Sequence, residues 1–210
     1  MAYVFSDNCD PKFFFWKDFG SSFGYGYLSG RMPDFSTFIP DVIAFSAAVT
    51  TTRILERQEF LLREGMVERS LYLVESGALR ILYLTELEEH TIRLGYSGSI
   101  FASLGSFFNG KPSEFYIQAI RKSQVRVIPK SSLFDFLEKY PERLLHYNEL
   151  LQQVIIQQLE REIDLLTEAP AERLQRVLDR SPQLFQEIPA KYIAAYLRMT
   201  PETLSRIRNS

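Results

Sequence analysis

The residues best suited to chemistry in this chain lie near its C-terminus, in residues 189–210. Lys191 stands on the first of two predicted helices there, and Glu202, Ser205 and Arg206 stand on the second. Carboxylate, hydroxyl and guanidinium groups on one short helix are the groups that hydrogen-bond to base edges in a major groove. These residues therefore predict nucleic-acid recognition. A helical hairpin that only packs on its own domain is the alternative that the turn signals leave open.

Two short helices joined by a tight turn must position these groups. Thr200 is predicted to cap the second helix and Pro201 to occupy its first position, while Ala194 is small enough to let the helices approach closely. Residues at the spacing of one shared apolar core are Ile193, Leu197, Met199, Leu204 and Ile207. The candidate DNA-binding residues of the pair are Lys191, Thr200, Glu202, Thr203, Ser205, Arg206 and Arg208.

Charge supports a contact confined to one end of the chain. The 210 residues carry a formal net charge of −2, so no overall positive field indicates nucleic acid. Residues 189–210 nevertheless hold four cationic side chains against a single acidic one, Glu202. A basic end on an acidic body is typical of a modular DNA-binding protein, although any small helical terminus can show the same balance.

Other classes of function find little support in the residue types. The chain has one cysteine, Cys9, and two histidines, His90 and His146, which are far apart in sequence. We find no phosphate-binding glycine loop, nucleophile motif or metal-ligand spacing, so we predict no catalytic residues, no metal site and no enzymatic activity. No apolar run has the length of a membrane span, and the first residues lack the basic stretch followed by an apolar core that is typical of a secretory signal. We therefore expect a cytoplasmic protein without membrane contact.

Three segments with different residue patterns precede these helices. Residues 1–31 are rich in aromatic residues and glycine without a period, which favours an extension without regular structure; an arm that packs on the domain or binds a partner is the alternative. Residues 32–52 show helical spacing and predict an amphipathic helix or a pair of helices. From 53 to 129, short strands with turn signals every eight to twelve residues predict a sandwich or jelly roll.

A long helix follows from Pro141, and Glu168-Ala-Pro170 ends it. Its apolar stripe is wider than packing against a single neighbour requires, which predicts contact both with its own β-roll and with a second copy of the chain. A helix that packs only within its own chain is the alternative. The predicted dimer interface consists of Tyr147, Leu151, Val154, Ile155, Leu159, Ile163 and Leu166.

Several segments resemble the CRP/FNR family of bacterial transcription regulators, and in particular the branch common in Bacteroidetes-type bacteria. They are EFLLREG (59–65), LYLVESG (71–77), KPSEF (111–115), IPAKYIAAYL (188–197) and TPETLSRIR (200–208). The resemblance implies an α+β chain with an N-terminal double-stranded β-helix, a jelly roll of the cyclic-nucleotide-binding type, then a long dimerisation helix and a C-terminal helix-turn-helix. The implied boundaries are an extension at 1–31, a sensor roll at 32–140, the dimerisation helix at 141–168 and the DNA-binding domain at 169–210, with no β-hairpin wing.

The function implied by this resemblance is a transcription regulator that binds palindromic double-stranded DNA as a homodimer, with RNA polymerase as a further partner. Glu202 and Arg206 fall where the family contacts base edges; a surface ion pair four residues apart is the alternative. Pro201 stands where some relatives carry an arginine. Arg198 replaces the usual turn glycine, so the turn must form without glycine's freedom at positive φ. A dimeric signalling module that does not read DNA is the rival function.

The resemblance also locates a degenerate effector pocket. Relatives that bind cyclic nucleotide use a glutamate after a glycine and an Arg-Ser or Arg-Thr pair, and these places fall on Ser99 and on Ser113-Glu114. The cation is thereby lost and the added Glu114 carboxylate repels a phosphate, so we expect that cyclic AMP and cyclic GMP do not bind in the usual mode, and we predict no cofactor. A solvated surface turn is the alternative for this loop, whose candidate pocket residues are Ser99, Ser103, Ser106, Lys111, Ser113 and Glu114.

Overall fold

Two antiparallel sheets form the first half of the protein. The computed structural model describes residues 3–4 and 37–209. One sheet has five strands in the order β1-β7-β4-β9-β2 and the other has four in the order β3-β8-β5-β6. The strands are β1 Tyr3–Val4, β2 Thr51–Leu55, β3 Phe60–Leu62, β4 Ser70–Ser76, β5 Ala78–Leu84, β6 Glu89–Tyr96, β7 Ser99–Phe101, β8 Tyr116–Ala119 and β9 Ser123–Pro129.

Helices flank and follow the sheets, and they occupy the whole chain after residue 129 except for short connections. A 3-10 turn, Pro141–Arg143, leads into the longest of them. The strands predicted between residues 53 and 129 and the long helix predicted from 141 are confirmed. The helices are α1 Phe38–Phe45, α2 Leu104–Asn109, α3 Lys130–Lys139, α4 Leu144–Leu166, α5 Pro170–Arg180, α6 Leu184–Glu187, α7 Ala190–Tyr196 and α8 Pro201–Arg208.

The N-terminal part departs from the sequence prediction at two places. Strand β1 pairs antiparallel with β7, with Tyr3 opposite Ile100, so the expectation of no regular structure is wrong for these two residues. An edge strand recruits a partner through backbone groups, which a side-chain pattern does not reveal. Helix α1 is shorter than the predicted 32–52 because Thr51 already pairs with Val127 of β9. The rest of the predicted extension, and residues 32–36, lie outside the described residues.

The two sheets pack face to face over an apolar core that is closed to solvent. Gly95 on β6 lies against the Phe101 ring, and a Cβ there would come within 2.4 Å of that ring. A larger residue at this position would therefore force β6 and β7 apart. The fully buried side chains of this core include Leu55, Val74, Leu79, Phe101, Ile117 and Val125.

A second core lies where α1, α3 and the first half of α4 close over β4 and β7. Its centre is aromatic, with the rings of Phe38 and Phe136 meeting edge to face at 5.9 Å and Phe38 lying 6.1 Å from Tyr147. Such contacts add to the burial term that drives this packing. The first half of α4 is therefore part of the roll's own core rather than a free-standing connector.

A third core joins the C-terminal helices to one end of the sandwich. It combines Ala78, Tyr96 and Ile120 of the sheet end with buried residues of α5 to α8. The Tyr96 hydroxyl lies 2.8 Å from Ser181 Oγ, and the Arg80 guanidinium stacks over the Tyr192 ring at 4.9 Å. Helices α7 and α8 are consequently held against the roll of their own chain in this structure.

Candidate nucleic-acid interface

Helices α7 and α8 share the small core that the sequence predicted. Ile193, Ala194 and Leu197 of the first helix and its turn are buried, as is Leu204 of the second, while Met199 and Ile207 pack partly buried against them. Ala194 lies in this closely packed centre, as expected of a residue chosen for its small side chain. The predicted helix pair and its inward-facing residues are confirmed.

The turn between α7 and α8 is made without glycine. Arg198 adopts a left-handed conformation with φ of +54°, which costs a non-glycine residue about 1 kcal/mol. Two contacts hold it there: the Arg198 guanidinium lies 2.7 Å from His90 Nδ1 on β6, and Arg173 of α5 donates to the Leu197 carbonyl at 2.7 Å. The sequence departure at Arg198 is thus offset by tertiary contacts on both sides of the turn.

Helix α8 begins as the sequence predicted. Thr200 Oγ1 accepts a hydrogen bond from the Thr203 backbone N–H at 3.2 Å, which satisfies one of the open donors of the first turn. The backbone N–H of Glu202 lowers the pKa of its own carboxyl group, and the Thr200 hydroxyl lowers it further. Glu202 is therefore charged at neutral pH, at the helix end that favours negative charge.

The outward face of α8 carries three of the predicted contact residues together. Glu202, Ser205 and Arg206 are exposed on this helix while Leu204 between them is buried. Thr200 is also exposed, and Thr203 is half-buried. The result is a short polar strip backed by an apolar core, the arrangement that a recognition helix requires.

The two remaining cationic candidates lie against aromatic rings. Arg208 stacks on Phe185 of α6 with 4.1 Å between its guanidinium carbon and the ring centre, and Lys191 Nζ lies 4.7 Å from the Tyr192 ring centre. Both side chains are exposed. Stacking of this kind fixes the direction of a long cationic side chain while leaving its charge available.

Arginines on α5, which were not among the predicted site residues, hold the helix pair of α7 and α8 in position. On α5, Arg176 and Arg180 form ion pairs with Glu160 and Asp164 of α4, and Asp164 is fully buried between them. Arg173 on the same helix donates to the Thr167 and Leu197 carbonyls. The signal was present as cations at spacings of three and four on α5 and acids four apart on α4.

Helix α4 has two apolar faces, and the structure separates them. Tyr147 and Val154, 9% and 8% exposed, pack on the roll of their own chain, and Leu151 packs partly buried against the same cluster. The dimer-interface prediction does not hold for Tyr147 and Val154, because their surface is already covered. The other face exposes the remaining four predicted residues, which are Ile155, Leu159, Ile163 and Leu166, together with Leu145 and Ile156.

The predicted effector loop is closed upon itself. Ser99, Ser103, Ser106 and Ser113 are buried, whereas Lys111 and Glu114 are exposed. A solvated turn, the alternative for this loop, is therefore wrong for the serines, because α2 and the hydrogen bonds of their hydroxyls within the chain draw them inward. These bonds join Ser113 Oγ to Ser103 Oγ at 2.8 Å, Ser99 Oγ to the Tyr96 N–H at 3.0 Å and Ser106 Oγ to the Glu68 N–H at 2.9 Å.

Glu68 is the centre of this serine network, and no pattern in the sequence pointed to it. Its carboxylate accepts hydrogen bonds from the Tyr72 hydroxyl at 2.9 Å and the Ser70 N–H at 3.1 Å, and the residue is 2% exposed. Burial raises the pKa of the Glu68 carboxyl group above its ordinary value. The loop thus surrounds a buried acid, which disfavours a phosphate at this position.

Metal and membrane sites are not visible in the part of the chain that the structure describes. Residues 3–4 and 37–209 contain no group of three or more histidine, cysteine, aspartate or glutamate side chains that would hold a metal ion. Within the same residues, no helix combines the length and the apolar character needed to cross a bilayer.

Comparison with known proteins identifies the roll. Residues 52–140 match the family described as the cyclic nucleotide-binding domain. The anaerobic regulatory protein of Bacillus subtilis (strain 168) is 29% identical to this chain over 108 residues, which are 51% of this chain. That match spans 45% of the Bacillus protein, so the chain covers less than half the length of this relative.

Three solved structures share the fold at low identity. FixK2 from Bradyrhizobium japonicum is 19% identical with a TM-score of 0.65, covering 77% of this chain and 83% of that one. The c-di-GMP-responsive regulator CLP from Xanthomonas campestris is 16% identical with a TM-score of 0.61, covering 81% and 90%. The catabolite activator protein of Thermus thermophilus is 20% identical with a TM-score of 0.50, covering 81% and 82%.

These likenesses agree on one coarse assignment. Residues 52–140 are similar to the cyclic nucleotide-binding domain family, and the chain shares its fold with FixK2, CLP and the Thermus thermophilus catabolite activator protein. The similarity to FixK2 and CLP extends beyond residues 52–140, because it covers more than three quarters of the chain.

Proposed function

We propose that this protein is a DNA-binding transcription regulator of the CRP/FNR type that recognises a palindromic site as a homodimer. The observation that carries the proposal is the exposed strip of Glu202, Ser205 and Arg206 on α8, held by a buried core at Leu204. In this proposal residues 32–140 are the sensor domain, 141–168 the dimerisation helix and 169–210 the helix-turn-helix domain. Helix α8 is its recognition helix.

Each candidate has a role that follows from its chemistry. Arg206 pairs with the O6 and N7 acceptors of guanine, and the Glu202 carboxylate accepts from cytosine N4, each contact giving about 1–3 kcal/mol of discrimination. Thr203 and Ser205 supply shorter donors near the same base edges. Lys191, Thr200 and Arg208 contact phosphates, which sets affinity and register without reading sequence.

A second copy of the chain covers the outer face of α4. Ile155, Leu159 and Ile163 are exposed at spacings of four residues, and Leu166 follows three residues later at the end of the helix. A continuous apolar strip of this length is costly in water and is typical of helix–helix association. The two-fold pair would present two copies of α8, and half-sites about 10–10.5 base pairs apart match such a pair.

The sensor roll does not bind cyclic AMP or cyclic GMP in the usual mode. Ser99 and Ser113 use their hydroxyls within the chain. Ser113 stands where relatives carry the phosphate-binding arginine, and Glu114 stands where they carry the serine or threonine of the same pair. The proposal therefore includes no cofactor, and it treats the pocket as the degenerate form found in the Bacteroidetes-type branch. A cytoplasmic location, with RNA polymerase as a further partner, belongs to the same proposal.

Fluorescence anisotropy against duplex DNA enriched from a random library tests the assignment of α8. We expect Arg206→Ala to weaken the enriched duplex by about 5- to 150-fold and to flatten the preference at one base position. Lys191→Ala should weaken all duplexes alike and reduce the salt slope by about one. Lys122→Ala, an exposed lysine on the roll, is the matched control and should change neither.

Sedimentation of the same proteins tests the dimer. Leu159→Lys places a charge in the exposed strip of α4, so we expect a monomer that stays folded and binds a single half-site weakly. Lys in place of the exposed Leu87, outside α4, is the control and should leave the dimer intact. A wild-type protein that is monomeric at micromolar concentration, or that binds DNA no better than Arg206→Ala, would favour the signalling module that does not read DNA.

A further inference from the structure

Three guanidinium groups converge where β6, α4 and the turn between α7 and α8 meet. Arg93 comes from β6, Arg161 from α4 and Arg198 from the turn, and the first two are only 7% and 5% exposed. Burial lowers the pKa of Arg161, and the positive charges of Arg93 and Arg198 lower it further. Arg93 and Arg161 are therefore like charges in a poorly solvated junction, and Arg198 lies exposed at its edge.

Neutral groups, not carboxylates, accept the hydrogen bonds of these arginines. Among the described residues, Arg93 donates to the side-chain amide of Gln158, Arg161 donates to the Tyr196 carbonyl, and Arg198 contacts the ring of His90. The Arg161 guanidinium also stacks on the Tyr196 ring at 3.8 Å. None of these partners carries the negative charge that a buried guanidinium requires.

The carboxylates nearest to the junction are already engaged. Glu160 and Asp164, on the same helix as Arg161, form ion pairs with Arg176 and Arg180 of α5. Asp164 raises the pKa of Arg161, which shows that its charge is felt there, but its two oxygens are bonded to the α5 arginines. Next to Arg198, the exposed Glu88 carboxylate lies 3.7 Å from His90 Nδ1. Among the described residues, no carboxylate forms an ion pair with Arg93 or Arg161.

One donor in the junction has no acceptor among residues 3–4 and 37–209. Arg161 Nη1 is closed to solvent and makes no hydrogen bond. A buried donor on a charged group without an acceptor is costly, and native structures satisfy such groups almost without exception. Arg80, equally buried at 7%, shows the usual solution, because it donates to Gln118 and pairs with Glu89.

We infer that this junction is an anion-binding site that takes a phosphate group between Arg93 and Arg161. Two guanidinium forks match the charge of a phosphate, which is about −1.5 to −2 at neutral pH, and their planar donors suit its oxygens. The site is distinct from the Ser113-Glu114 loop, whose centre is a buried acid. It stands whether or not α8 binds DNA.

Occupancy of this site would stabilise the docked helix pair. Arg161 joins the proposed anion to the Tyr196 carbonyl at the end of α7, and Arg198 lies in the turn that follows. An anion here would neutralise the repulsion among the three arginines, so it would hold α7 and α8 more firmly against the roll.

Calorimetric titration and thermal unfolding of the full chain test the site, at constant ionic strength set with chloride. We expect inorganic phosphate to bind saturably and to raise the unfolding temperature by several degrees. Glycerol 3-phosphate is the second probe: tighter binding than phosphate would identify the phosphoryl group of a small molecule, and equal or weaker binding would identify the free ion. Both results support the site.

Variants locate the binding. Arg161→Met and Arg93→Met should each weaken phosphate at least tenfold, while Arg57→Met, at an exposed loop position, should leave it unchanged. Arg161→Lys keeps the charge without the fork and should bind at intermediate strength, which covers the case in which a methionine variant fails to fold. No saturable binding of either probe by the wild-type chain, or equal binding by Arg161→Lys, Arg93→Met and the wild type, would overturn the inference. Loss of DNA binding alone would leave it untouched.

Discussion

The loop of residues 99–114 and the face of α8 contain similar residues and use them in opposite ways. The loop contains serines and Glu114, and α8 contains a serine, a threonine and Glu202. In the loop the hydroxyls of Ser103, Ser106 and Ser113 turn inward and bond to one another or to the buried segment around Glu68. On α8 the side chains of Glu202 and Ser205 turn outward.

The difference arises from what each segment packs against. Helix α2 brings the loop serines over the sandwich, where an unbonded hydroxyl would be costly, so the hydroxyls become part of the core. Helix α8 buries only its Leu204 side and is polar elsewhere. A polar side chain can meet DNA only where it remains exposed to solvent, as on α8 and not in the loop.

The largest expected effect is on the acid at the centre of the loop network. Glu68→Ala removes the acceptor of the Tyr72 hydroxyl and the Ser70 N–H, and we expect a loss of about 3 kcal/mol in the free energy of unfolding. Urea denaturation measures it. Glu114→Ala, the exposed acid of the same loop, is the control and should stay within about 0.5 kcal/mol of the wild type. Similar losses for both variants would contradict the contrast.

A pair of serine substitutions compares the two regions directly. Ser106→Ala leaves the Glu68 N–H without its partner at 2.9 Å and should cost about 2 kcal/mol of stability. Ser205→Ala on α8 should cost less than about 0.5 kcal/mol and instead reduce affinity for the enriched duplex. Urea denaturation of both variants measures the two stability losses. A Ser205→Ala protein as destabilised as Ser106→Ala would show that Ser205 is part of a packed or bonded network and is not free to contact DNA.

The pH dependence of stability sharpens the assignment of the network. Because burial raises the pKa of Glu68 above its ordinary value of 4.5, its favourable contribution is complete below that pH and is lost as pH rises through the folded-state pKa. The stability of the wild type relative to Glu68→Gln should therefore fall with rising pH above 4.5, by at most about 1.4 kcal/mol per pH unit. A difference that stays constant or rises would mean that the carboxylate is not desolvated.

Much of the fold was predictable because it depends on local pattern. The short run Leu71–Ser76 that ends in a turn at Gly77, and the capping threonine before Pro201, each predicted an element without reference to distant residues. The two faces of α4 could not be told apart in this way. Both are apolar, and the pattern carries no information on whether Val154 or Ile155 meets the roll.

The parts that escaped prediction depend on partners distant in sequence. Ser106 lies 38 residues from Glu68, whose backbone it bonds, and Arg93 lies 65 residues from Gln158. Arg161 resembles any polar helix residue until its helix is placed between β6 and α7. Buried polar networks of this kind are set by tertiary packing, which a single sequence does not display.

Selection of DNA from a random duplex library by the purified full chain tests the central claim most directly. The account predicts enrichment of a pseudo-palindrome whose half-site centres are about 10–10.5 base pairs apart, and loss of that enrichment in Arg206→Ala. A library that remains unenriched after selection by a folded wild-type protein, or a motif that Arg206→Ala recovers unchanged, would contradict it.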